Sequence, residues 1–151
     1  MMELNRRQIM ALGVGSAAFA TTMSLSLPAL AANDAQALIN AFTGGAEAGE
    51  GALSLDAPEI AENGNTVPIE VTVDSPMTDD DYVEAVLIVA NGNPNASVAT
   101  FHFTPMSGEA LASTRIRLAK TQDVIAVARM SNGTFAIDRK TVKVTIGGCG
   151  G

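Results

Sequence analysis

The residues best suited to chemistry stand at the carboxyl end, where Gly147-Gly148-Cys149-Gly150-Gly151 surrounds the one cysteine with glycine. A thiolate is a strong nucleophile, and its surroundings decide what it does. Glycine adds no side-chain bulk and visits backbone regions closed to other residues, which predicts an unobstructed, mobile tail. Two or three such residues span roughly 7–10 Å when extended. No His, Lys or Arg sits beside the thiol to favour its ionisation, so activation has to come from another protein's site. The pattern suits a group that is carried and presented better than it suits a catalytic nucleophile. A leftover cysteine on such a tail could also close an intermolecular disulfide, and the residues alone leave that alternative open.

Other reactive residues do not assemble into a site. His102 is the one histidine, set between Phe101 and Phe103 in a predicted strand, and no G-x-S-x-G elbow accompanies it. One His and one Cys cannot supply a two-histidine, one-cysteine copper site. Met77, Met106 and Met130 lie in separate segments and read as core or loop residues. Thr78-Asp79-Asp80-Asp81 lacks the alternating oxygen ligands and closing Glu of an EF-hand, so it reads as a solvated turn. Gly44-Gly45 ends a helix and does not open one, which removes a phosphate cradle. Asn95-Ala96-Ser97 matches a glycosylation sequon that a bacterial export route makes irrelevant. No metal and no cofactor is expected.

The elements that must position the thiol begin with an export segment, residues 1–31. Arg6 and Arg7 precede an apolar run from Ile9 to about Leu27, and Pro28-Ala29-Leu30-Ala31 closes it with small residues. This is the form of a twin-arginine signal, cleaved after Ala31, and it predicts a folded protein delivered to the periplasm without a membrane anchor. Residues 32–151 then suit one domain that buries roughly two-thirds of its unfolded surface. With a single cysteine, an internal disulfide is impossible, so packing must hold the fold, alone or with a partner subunit. Residues 32–109 contain thirteen Asp or Glu and no Lys or Arg, whereas residues 110–151 contain seven Lys or Arg against Asp123 and Asp138. No basic stripe with interleaved aromatics appears, which argues against nucleic acid as a partner. The cationic C-terminal strands could guide small anions toward the tail, unless the two halves interleave in the fold.

Asn33 or Asp34 is a candidate cap for a short helix over Ala35–Phe42, stopped by Gly44-Gly45. Short strands follow. Val67, Ile69, Val71 and Val73 alternate with polar or exposed types, and Val83–Ala90 is a continuous apolar run ended by Asn91-Gly92-Asn93-Pro94. Val98–Thr104, Ala110–Leu118 and Asp123–Met130 are next, and Asn132-Gly133 turns the chain into Thr134–Asp138. Val142, Val144 and Ile146 alternate in a last strand. About seven strands with little helix predict an all-β, immunoglobulin-like antiparallel β-sandwich over 32–146 with a flexible C-terminal arm at 147–151.

These segments carry a family resemblance. The tail from Val142 to Gly151 resembles the end of the SoxY family, sulfur carriers of the bacterial thiosulfate-oxidising system. Pro58-Glu59-Ile60-Ala61-Glu62-Asn63-Gly64-Asn65-Thr66-Val67-Pro68, Asp74-Ser75-Pro76-Met77, the run Ser113 to Ala119 and the run Gln122 to Ala128 are similar to that family as well. The resemblance implies a sandwich that pairs with a SoxZ-like companion, and a Cys149 that holds sulfur intermediates covalently. It also implies that Gly147, Gly148, Gly150 and Gly151 form a swinging arm. A SoxAX-like cytochrome would load thiosulfate, a SoxB-like hydrolase would release sulfate, and a SoxCD-like dehydrogenase would oxidise the remaining sulfane. The carrier itself would not be an enzyme. Two other classes compete on the residues alone. One is a periplasmic structural or binding module tethered through a C-terminal disulfide. The other is a ubiquitin-like carrier acting through a Gly-Gly thiocarboxylate, which the export signal and the strand-rich pattern disfavour.

Overall fold

Two strands with continuous apolar sequences form the centre of the fold, because each is buried on both faces. The computed structural model describes residues 34–148; residues 1–33, with the predicted export segment and its Arg6 and Arg7, and Cys149, Gly150 and Gly151, lie outside the described residues. The order is α1 (Ala35–Thr43), β1 (Ala48–Gly49), β2 (Leu53–Asp56), β3 (Ile60–Ala61), β4 (Val67–Val73), β5 (Val83–Ala90), β6 (Ser97–His102), β7 (Ala110–Ile116), β8 (Gln122–Met130) and β9 (Phe135–Val144). A short 3-10 turn at Pro105–Ser107 joins β6 to β7.

The strands make a six-stranded sheet ordered β1-β9-β8-β5-β6, with β3 also on β9, and a three-stranded sheet ordered β2-β4-β7. This is the expected β-sandwich, antiparallel except where the two-residue strands β1 and β3 pair parallel to β9. On β5, Val86, Ile88 and Ala90 enter the core between the sheets, while Leu87 and Val89 face the other way onto α1. β8 divides in the same way, with Val124, Ala126 and Ala128 inside and Ile125 and Val127 under the helix. The helix therefore makes a third layer, and two-sided burial removes the polar half of each strand's alternation. Each fully buried Val or Ile contributes about 1.5–3 kcal/mol relative to exposure.

α1 buries Ala35, Ile39 and Thr43, one residue per turn, and ends on Gly44 in the left-handed conformation (φ 64°). The sequence predicts that stop, since glycine takes positive φ without a Cβ clash. Asp34 stands at the N-cap, but its side chain makes no capping hydrogen bond. Phe42 meets Phe135 edge-on at 6.3 Å, and the Arg129 guanidinium lies 5.3 Å from the Phe42 ring. Arg129 also pairs with Glu84 at 2.8 Å.

The last strand differs from expectation. The sequence suggests two separate segments, Thr134–Asp138 and Val142–Ile146, but β9 is one ten-residue strand paired to β8 from Phe135 to Val142. The apolar pattern lapses because Asp138 occupies a position on the face turned to the smaller sheet. Its Oδ2 accepts the Leu55 N–H at 2.8 Å, and its Oδ1 accepts the Arg139 N–H at 2.7 Å. One carboxylate thus stitches the edge of β2 to β9, which satisfies an edge N–H of the small sheet. The stretches of opposite charge interleave, with acidic-half β1 and β5 flanking the pair β9 and β8. Replacing Asp138 with Ala is expected to cost about 1–3 kcal/mol, because the partly buried Leu55 N–H loses its acceptor. Urea unfolding checks this, and a change below about 0.5 kcal/mol would show that the stitch contributes nothing.

Candidate functional site

The tail leaves the sandwich through a junction of three backbone segments. Val142 is fully buried and Val144 half-buried, so the end of β9 is fixed in the core. β3 pairs alongside, with Ile60 opposite Lys143 and Ala61 opposite Val144. Beyond the strand, the Thr145 N–H donates to Ala61 O at 3.0 Å, and the Thr145 hydroxyl donates to Glu62 O at 2.9 Å. The Val144 N–H donates to the Thr121 hydroxyl at 3.0 Å.

Three further bonds close the junction. The Gly64 N–H donates to Ile146 O at 2.7 Å, the Leu118 N–H donates to Gly64 O at 2.8 Å, and the Gly148 N–H donates to Leu118 O at 2.9 Å. At the glycines of this junction the neighbouring backbone occupies the space a side chain would need. A Cβ on Gly64 would lie 2.3 Å from Leu118 O and 2.7 Å from the Gly148 nitrogen. One on Gly147 would lie 2.2 Å from Ala119 O, and one on Gly148 would lie 2.8 Å from Gly64 O.

Two of the predicted arm residues touch the body of the fold. The sequence suggests that the tail is unobstructed from Gly147 onward, but Gly147 and Gly148 are docked against Leu118, Ala119 and Gly64. The physical reason is that a glycine tail allows backbone-to-backbone approach as readily as it allows motion. Cys149, Gly150 and Gly151 lie outside the described residues. Covalent geometry alone puts the Cys149 Cα about 3.8 Å from that of Gly148.

The wall that receives the tail is held by Asn93, which the sequence marks only as part of a turn. Asn93 is buried, and its Nδ2 donates to Arg117 O at 2.9 Å. Its Oδ1 accepts the Ala119 N–H at 2.9 Å and Gln122 Nε2 at 2.8 Å. One amide therefore fixes residues 117–119 and the start of β8 together. Gly64, Leu118 and Ala119 lie within segments that carry the family resemblance, but no local pattern reveals that they meet.

The remaining candidates stand apart from this junction. His102 is exposed at the end of β6, opposite Ala85. Met77 is buried with positive φ, and its sulfur accepts the Val83 N–H at 3.5 Å. Met106 is almost fully exposed. The Asp79–Asp81 segment is a solvated turn in which the Thr78 N–H donates to Asp81 O. Among the described residues no group of three or more His, Cys, Asp or Glu could hold a metal ion, and no helix is long and apolar enough to cross a membrane.

The fold and the junction define a class: a β-sandwich whose last strand leads, through a docked glycine pair, to a glycine-flanked cysteine in the sequence. The model of the family "Sulfur oxidation protein SoxY" matches residues 38–149, and the chain belongs to the SoxY family. Among solved structures, the sulfur carrier protein SoxY from Chlorobium limicola f thiosulfatophilum is 32% identical, with a TM-score of 0.61 over 74% of this chain and 96% of that one. The superoxide reductase (neelaredoxin) from Ignicoccus hospitalis is 18% identical, with a TM-score of 0.56 over 62% of this chain and 80% of its own. A putative superoxide reductase from Thermotoga maritima is 20% identical, with a TM-score of 0.54 over 68% of this chain and 89% of its own. These last two likenesses concern the fold alone. A comparison with curated proteins gave no match.

Asn93→Ala is expected to cost about 2–3 kcal/mol, since it leaves the Ala119 N–H, the Arg117 carbonyl and the Gln122 amide short of partners in a buried site. It should also shift the Gly148 amide resonance, because the residues on either side of Leu118 lose the bonds that Asn93 makes to them. An unchanged Gly148 resonance would show that the tail is fixed independently of Asn93.

Proposed function

We propose that this chain carries thiosulfate-derived sulfur on Cys149 in the periplasm and presents it to partner enzymes. The observation that carries this reading is the family match, which runs to Cys149 itself. The Chlorobium relative named a sulfur carrier supports it. So does the junction that leads the chain out from a rigid strand.

In the first step the thiol and thiosulfate form an S–S bond. Cys-SH and S2O3²⁻ give Cys-S-S-SO3⁻, one proton and two electrons, and a SoxAX-like cytochrome accepts the electrons. Hydrolysis follows at a SoxB-like partner. Water attacks the terminal sulfur, sulfate leaves, a proton is released and Cys-S-SH remains. A SoxCD-like dehydrogenase then oxidises the remaining sulfane: Cys-S-SH and three waters give Cys-S-SO3⁻, seven protons and six electrons, which that enzyme passes to an electron-transfer cytochrome. This chain contributes no acid, base or metal to these steps in our reading. It supplies the thiol, a rigid anchor and a slender path into a partner's site.

Arg139, Lys140 and Lys143 are exposed on β9, the strand that leads to the tail. Although the acidic and basic stretches interleave in the sheet, these three side chains stay exposed on one strand, and their local charge would favour approach of the thiosulfate dianion, an effect that falls as salt rises. A SoxZ-like companion subunit completes the carrier, and the twin-arginine segment around Arg6 and Arg7 exports the folded pair.

Cys149→Ser is expected to abolish thiosulfate-dependent cytochrome reduction in a reconstituted system while the melting temperature stays unchanged. Retained reduction would refute the carrier role. In wild type, intact mass after turnover should show added S2O3 on Cys149, removable by reductant; a stoichiometric protein–protein disulfide in its place would identify a tether. Gly150→Val should slow transfer by narrowing access, with the fold untouched.

A further inference from the structure

Gly64 lies far before the thiol in sequence, yet its backbone touches the tail one residue short of it. It donates to Ile146 O and accepts from Leu118, whose carbonyl in turn holds Gly148. No side chain could occupy position 64 without displacing Leu118 O, the Gly148 nitrogen or Val144 Cγ1, each of which would lie within 2.9 Å of its Cβ. Leu118 is fully buried and Val144 belongs to β9, so both are held by the core. Ile146 is 68% exposed and Gly147 is exposed, so the tail is the element with least to lose by moving.

From this geometry we infer that Gly64 is a positioning residue for the carrier cysteine. With Leu118 and Ala119 it forms a clamp on Gly147-Gly148 that sets where Cys149 starts, and the arm has a clamped and a released state. The inference rests on the carrier reading of Cys149 for its functional meaning. In the clamped state, travel begins at Cys149. Release frees Ile146, Gly147 and Gly148, and each freed residue adds roughly 3.3–3.6 Å of reach. The holding contacts are hydrogen bonds without buried apolar area, which places release at the low end of the molecule's local stabilities. The first two glycines are thus required for close packing, and the length of the arm is set by a residue outside it.

Two measurements that require no transfer of sulfur by the carrier test the clamp on the full chain. In wild type the Gly148 amide should exchange with deuterium about tenfold or more slowly than the same amide in a free Gly-Gly-Cys-Gly-Gly peptide, the protection that one retained hydrogen bond gives. A nitroxide label on Cys149 should report restricted motion, and Gly64→Ala should sharpen its spectrum toward that of the labelled free peptide. Gly147→Ala, whose added methyl meets only Ala119 O and C, should do the same without touching the core. It decides the matter if Gly64→Ala fails to fold. Wild-type exchange at the free-peptide rate, or a label spectrum unchanged in Gly147→Ala, would overturn the inference. Protection and restricted motion in a protein whose Cys149 never takes up S2O3 would keep the clamp and refute the carrier reading alone.

Discussion

The path of the tail up to Gly148 depends on one constraint, the close approach of three backbones at Gly64, Leu118 and Gly148. Hydrogen bonds of 2.7–2.9 Å link them in sequence, and the approach is possible only because Gly64 and Gly148 lack a Cβ. The bonds do not create the junction by themselves. Leu118 is placed by its buried side chain, the end of β9 by Val142, and the Gly64 loop by the pairing of β3 with β9. Core packing at interior density fixes all three walls, so the tail meets a preformed slot.

Rigidity is unevenly distributed as a result. β5 and β8 are buried on both faces, and β8 carries β9 through a ladder that runs from Phe135 to Val142. Beyond Val144, residues 145–148 hold on with a few backbone bonds and no buried apolar side chain. Opening of the tail is therefore separable from unfolding of the body, which is the condition a presenting device needs. Asn93 links the two regimes, since it ties the receiving wall to β8 from a buried position.

Much of this is legible in the sequence, for identifiable reasons. The period-two pattern of Val67 to Val73 marks β4, the Asn132-Gly133 turn separates β8 from β9, and Gly44 stops the helix. The strands β1, β2 and β3 escape such a reading because two to four residues carry too little pattern to stand out. β9 reads as two segments because Asp138 takes a core-facing position to serve an edge N–H. The cysteine is conspicuous from its neighbours. The clamp is not, because it is made by backbone atoms of residues far apart in sequence, and side-chain types record such contacts only as unexplained glycines.

The same sandwich serves proteins named as superoxide reductases, so the fold does not choose the chemistry. What remains to choose it here is the terminus and the way the body holds it. A thiol on a long free tail would sample a large volume and lose entropy on entering each partner's site. A thiol on a tail clamped up to its preceding residue starts from a defined place and loses less. Lengthening the arm by release then costs a few hydrogen bonds, each worth about 0.5–1.5 kcal/mol, an amount that contacts with a partner can offset. Gly147 and Gly148 serve both states, since the property that lets them pack without a Cβ also lets them extend. A glycine pair is the sequence that permits a tail to be held closely and released at small cost.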